Sequence, residues 1–160
     1  MPRVVLVQPQ IPPNTGNIAR TCAATGTELH LVGPLGFEIS DRHLKRAGLD
    51  YWPYVKVYHH QHLQEFQAVY QAAGGRLIGF SASGRCNYLE CQFQTDDWLL
   101  FGSETTGLPP QVLSKCDLSV FIPMTQKQVR SLNLSVSVAI GLFEARRQLG
   151  YLHSQPPKGK

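Results

Sequence analysis

Short apolar runs rich in β-branched residues recur along this chain, each separated from the next by a stretch with helical character. RVVLVQ (Arg3 to Gln8), ELHLV (Glu28 to Val32), Tyr54 to Tyr58, RLIGFS (Arg76 to Ser81), WLLF (Trp98 to Phe101) and SVFI (Ser119 to Ile122) read as strands. Most are apolar without alternation, as strands buried on both faces are. Asn14 is placed to cap a helix through IARTCAAT that Gly26 would stop. Ser40 and Asp41 open a short basic helix, DRHLKRAG. His62 to Ala73 forms an amphipathic helix ended by Gly74 and Gly75, and Pro109 to Lys115 a helical turn. A last helix runs from about Leu134 to Leu149, capped near Asn133, with its first half apolar enough to be buried on most sides. Strands spaced by helices predict an α/β fold with a mostly parallel sheet flanked by helices.

At 160 residues the chain fits one domain, expected over 1–152, with 153–160 as a flexible tail. A domain of that length buries roughly 70% of its unfolded surface and needs no staples. The four cysteines show neither CxxC spacing nor a dense framework, so they read as reduced thiols of a cytoplasmic protein. No stretch approaches the ~18 apolar residues of a membrane span. A net charge of +4 suits phosphate-rich partners, because lysine and arginine release counterions from nucleic acid. Only 16% of residues are charged, which hints at a surface covered by a partner subunit.

Familiar signatures are missing. There is no GxGxxG after the first strand, no GxxxxGK[ST], no HExxH and no GxSxG. His59, His60 and His62 lack matched Cys, Asp or Glu partners, so they read as a solvated loop and no metal is expected.

Three segments following strands stand out, since open α/β sheets hold ligands at strand ends. NTGNIAR (14–20) carries Asn14 and Arg20. FGSETTGLP (101–109) combines two glycines with the lone carboxylate of Glu104. IPMTQKQVRSLNLS (122–135) ends on Ser131 and Asn133 at a helix start. Each alone also reads blandly, as a capped helix, a tight turn and a pair of caps.

In this order the three segments closely resemble the motifs of the SPOUT superfamily of RNA 2′-O-methyltransferases, and within it the small TrmL (YibK) group. The likeness runs from Val4 to Tyr151 and includes HLVGPLGF, LKRAGLDY and EARRQLGY. It implies a C-terminal trefoil knot, a homodimer with sites at the interface, and S-adenosylmethionine as methyl donor without a metal. It also implies methylation of the ribose 2′-hydroxyl of wobble nucleotide 34, cytidine or uridine, in the tRNA anticodon stem-loop, with tRNA-Leu foremost. Another tRNA or rRNA site, or a non-catalytic RNA-binding role, stays open. By resemblance the cofactor side comprises Phe80, Gly102, Ile122, Met124, Ser131 and Leu132. The catalytic centre comprises Asn14, Arg20, Glu104, Ser131 and Asn133. The chain departs from the commonest pattern at Thr106, where an arginine is frequent, and in a stretch before Arg130 that is one residue longer.

Overall fold

The structure is a computed structural model that describes residues 1–40, 42, 46 and 50–152. Seven parallel strands form one sheet in the order β3-β2-β1-β6-β4-β7-β5. They are β1 (Arg3–Val7), β2 (Leu29–Val32), β3 (Val57–His60), β4 (Leu77–Phe80), β5 (Cys86–Asn87), β6 (Trp98–Phe101) and β7 (Leu118–Phe121). Helices α1 (Pro12–Thr25), α2 (Leu63–Ala73), α3 (Pro110–Leu113) and α4 (Leu134–Gln148) flank it.

The period-two geometry of a strand divides the core between two faces. Val4 and Leu6 of β1 join Leu99 and Phe101 of β6 under α1 and α4, where Ile18, Cys22, Val138 and Leu142 cover them. Val5, Val7, Trp98 and Leu100 point the other way, against Phe66 of α2 and Val112 of α3. Each fully buried Leu or Phe contributes roughly 1.5–3 kcal/mol. Helix α4 lies close against the sheet at Gly141, where a Cβ would stand 2.6 Å from the Phe80 ring, itself stacked on Phe101 at 4.5 Å. That contact ties α4 to the carboxyl ends of β4 and β6.

Several elements differ from the sequence expectation. Helix α1 begins at Pro12, with Ile11 as its cap, so Asn14 lies inside the first turn and is buried. Two prolines with preset φ start the helix earlier than a capping asparagine would. Pro53 lies within a 3-10 turn, Trp52–Tyr54, which delays the third strand to Val57. The two-residue β5 was too short to register as a pattern. Val136 and Phe143 of α4 are exposed rather than buried, one apolar stripe being left over after the sheet and α1 are covered. The basic helix expected from Asp41 and the tail 153–160 lie outside the described residues, apart from Arg42 and Arg46. All four cysteines are free, and burial pushes the Cys22 and Cys116 thiols up to about 12.

The histidine cluster is solvated only in part: His59 and His62 are exposed, whereas His60 is not. His60 ends β3, is buried, and meets His30 of β2 with its Nε2 2.9 Å from the His30 Nδ1. Their rings stack, and Trp98 and Phe66 close over the pair edge-on. Burial, with His60 and Arg3 nearby, pushes the His30 imidazole down to about 3, and burial lowers His60 as well. The unfolded chain takes up these protons near 6.5, whereas the folded chain refuses them until far lower pH. Stability is therefore expected to be full above about pH 6.5 and to fall steadily from there towards about 3. Urea unfolding at a series of pH values checks this, and a midpoint unchanged between pH 7.5 and 5 contradicts it.

Candidate functional site

The chain order moves from the β3 edge, past three strands, to β4 and back to β6, so loops diverge at the carboxyl ends of the central strands. A cavity of about 620 Å³ opens there, beyond the ends of β4, β6 and β7. Phe80 lines it from the end of β4. Gly102 and Glu104 enter from the loop after β6. Ile122, Met124, Ser131, Leu132 and Asn133 come from the segment joining β7 to α4, and Asn14 from α1. Residues as far apart as Asn14 and Asn133, 119 positions, thus share one hollow, with apolar walls and many small polar groups, inside the size range of small-molecule sites.

The loop after β6 is a closed turn. Ser103 and Gly107 bridge through the Gly107 amide, which donates to the Ser103 carbonyl at 3.0 Å. The Ser103 and Thr106 hydroxyls lie 2.7 Å apart, so Thr106, though exposed, braces the turn. Gly107 takes φ +68°, a left-handed conformation that glycine adopts without penalty.

Glu104 carries the turn's connection to the rest of the molecule. Its carboxylate accepts from the backbone amides of Gln10 at 2.8 Å and Ile11 at 3.0 Å, and from the Asn14 amide at 3.4 Å. Two of these donors are backbone amides at the amino end of α1, where unpaired N–H groups and the helix dipole favour negative charge. Asn14 passes the chain on, its Oδ1 accepting from Asn133 Nδ2 at 3.0 Å. Asn133 in turn caps α4, accepting from the Ser135 amide at 2.9 Å. One polar relay therefore links all three sequence segments. It leaves Glu104 with both oxygens engaged inside the protein.

Glu104→Gln is expected to lower stability by about 2 kcal/mol, because the charge is lost and one amide N–H₂ must face other N–H donors. Chemical denaturation measures it. An unchanged midpoint would mean the relay contributes nothing to the fold.

Arg20 stands apart from the other expected residues. It does not line the cavity; it is exposed on α1 and donates from Nη2 to the Tyr51 hydroxyl at 3.2 Å. Six residues from Asn14, it faces another side of the helix. Sequence reasoning passed over Ser81, Ala82 and Ser83, which line the cavity just after β4. The signal was there, since these small residues follow a buried strand as the other two loops do.

Comparisons with known proteins bear on what this hollow does. The SpoU rRNA Methylase family matches residues 1–143. A Synechocystis sp. protein is 60% identical over 93% of this chain and 97% of its own length. The tRNA (cytidine(34)-2′-O)-methyltransferase of Polaromonas sp. is 45% identical, covering 96% of this chain and 94% of that protein. A solved structure concerned with 2-OH methylation of C/U34 on tRNA superposes with TM-score 0.90 at 48% identity, covering 94% and 97%. AviRb of Streptomyces viridochromogenes, a SpoU methyltransferase solved with AdoMet, superposes with TM-score 0.83 at 28% identity, covering 93% of this chain and 57% of that one.

Proposed function

Because the chain belongs to the SpoU rRNA Methylase family, we propose that it methylates the ribose 2′-hydroxyl of wobble nucleotide 34 in tRNA. S-adenosylmethionine is the methyl donor, cytidine and uridine are the accepted bases, and tRNA-Leu is the substrate to try first. The observation that carries this reading is the convergence of three distant segments on one cavity, joined by the Glu104–Asn14–Asn133 relay. Relatives that match nearly their whole length with this chain act on, or are solved in connection with, position 34.

The residues present suit an adenosine-bearing donor. Ile122 and Leu132 offer apolar contact, Gly102 leaves main chain uncovered, and Ser131 offers a hydroxyl beside them. Bound there, S-adenosylmethionine supplies an electrophilic methyl group. The chain's own task is to hold the ribose oxygen in line, about 3–3.5 Å from the carbon it attacks, and to ease loss of its proton. Guanidinium groups keep their proton in proteins, so Arg20 is not the base. It grips the adjacent phosphate and stabilises the developing alkoxide, while the proton leaves to phosphate, water or a neighbouring group. Ser131 orients the ribose. Glu104, Asn14 and Asn133 hold the site's shape.

Arg20 lies outside the cavity of its own chain, which supports a homodimer in which it serves the partner's site. The exposed Val136 and Phe143, two turns apart on α4, supply an apolar stripe for that contact. The C-terminal segment is taken to thread the family's knot, and the enzyme to work in the cytoplasm with its tRNA. Among the described residues no helix is long and apolar enough to cross a membrane.

Purified protein incubated with S-adenosylmethionine and tRNA-Leu, followed by nuclease digestion and mass spectrometry, tests the assignment. A 2′-O-methylated nucleotide at position 34 is expected. Methylation confined to another nucleotide, or to rRNA alone, overturns it.

A further inference from the structure

Arg20 is held by something specific. Its Nη2 donates to the Tyr51 hydroxyl at 3.2 Å, and its guanidinium carbon lies 4.6 Å from the centroid of the same ring. One aromatic side chain therefore fixes the arginine twice, in direction by the hydrogen bond and in height by the ring face. Tyr51 is itself anchored. It caps the 3-10 turn Trp52–Tyr54, and Trp52 packs into the core beneath α1. The contact joins residues 31 positions apart and uses one of the five guanidinium donors. Arg20 remains exposed, so the rest of its fork stays accessible to a phosphate or a ribose oxygen.

We propose that Tyr51 is a positioning residue for Arg20, holding the guanidinium in the orientation in which it meets the RNA. The inference rests on the reading of Arg20 given under the proposed function. An unrestrained arginine has a long, flexible stem whose freedom must be lost each time substrate binds. A stacked and hydrogen-bonded one has lost most of it beforehand, which favours the transition state when geometry there is strict. Tyr51 itself does not line the cavity.

The test is a double-mutant cycle on the full chain, with Tyr51→Phe, Tyr51→Leu, Tyr51→Trp and Arg20→Ala, each single Tyr51 change also made in the Arg20→Ala background. Single-turnover tRNA methylation keeps slow rates measurable. Melting curves and calorimetry with S-adenosylmethionine report fold and cofactor site. Tyr51→Leu is expected to lower the rate about tenfold, and Tyr51→Phe about threefold, with cofactor affinity and melting unchanged. Tyr51→Trp, which keeps a ring face, recovers the rate to the Phe level. In the Arg20→Ala background the Tyr51 changes have no further effect.

Losses that add fully to that of Arg20→Ala would overturn the positioning role while leaving Arg20's own role intact. So would a wild-type rate in Tyr51→Leu. An Arg20→Ala enzyme with wild-type turnover would remove the reading of Arg20, and this inference with it.

Discussion

Gly102→Ala is expected to lose about 3–5 kcal/mol of stability, or to fail to fold, because backbone atoms cannot move aside as side chains can. A Cβ at this position would stand 1.9 Å from the Gly107 carbonyl carbon and 2.0 Å from the Leu108 amide nitrogen. Both contacts are with the returning arm of the same turn. Opening that arm would break the Ser103–Gly107 bridge and draw Glu104 away from Gln10 and Ile11. Any protein that still folds is expected to bind S-adenosylmethionine at least about a hundredfold more weakly, since the turn forms one wall of the cavity. Gly107→Ala provides the contrast. Its φ is +68°, yet nothing lies within 4 Å of a Cβ there, so about 1 kcal/mol is expected. Denaturant unfolding and calorimetry on both variants decide the matter, and equal losses at the two glycines would refute it.

Arg20→Lys is expected to reduce turnover about a hundredfold or more while leaving the fold and the cofactor affinity as they were. The ammonium keeps the charge but not the planar fork, which can engage a phosphate oxygen and the ribose oxygen together. Because Arg20 is exposed and lines no part of the cavity, the substitution removes neither core packing nor a wall of the donor site. The measurement pairs kcat for tRNA methylation with S-adenosylmethionine binding by calorimetry. Near-normal turnover would mean the fork is dispensable. Loss of cofactor binding would mean that Arg20 serves the donor rather than the RNA.

Much of the fold was legible in the residues. RVVLVQ and WLLF are apolar at successive positions because strands β1 and β6 are covered on both faces, a condition the composition of six residues can reveal. Gly26 and Gly74 were legible as helix stops for a similarly local reason. Errors arose where two local signals competed. At the start of α1 the prolines prevailed over Asn14, which was then released for the relay. At 52–54 a proline turned what looked like strand into a 3-10 turn. His60 was misread because its burial depends on His30, thirty residues away on a neighbouring strand, and no window of sequence contains both.

The site divides along the same line. Its residue types and their order were present in three short segments, and resemblance to a family sufficed to name them. The chain by itself thereby determined an α/β fold and which three segments meet at the cavity, since strand burial, turn chemistry and motif order are properties of neighbouring residues. Tertiary structure alone decided how their residues are employed. It committed Glu104 to the amino end of α1, used Asn133 both as cap and as link to Asn14, and set Arg20 outside the cavity against Tyr51. Hydrogen bonds spanning from 31 to 119 positions follow from how strands are ordered in the sheet, and strand order is settled by packing over the whole chain.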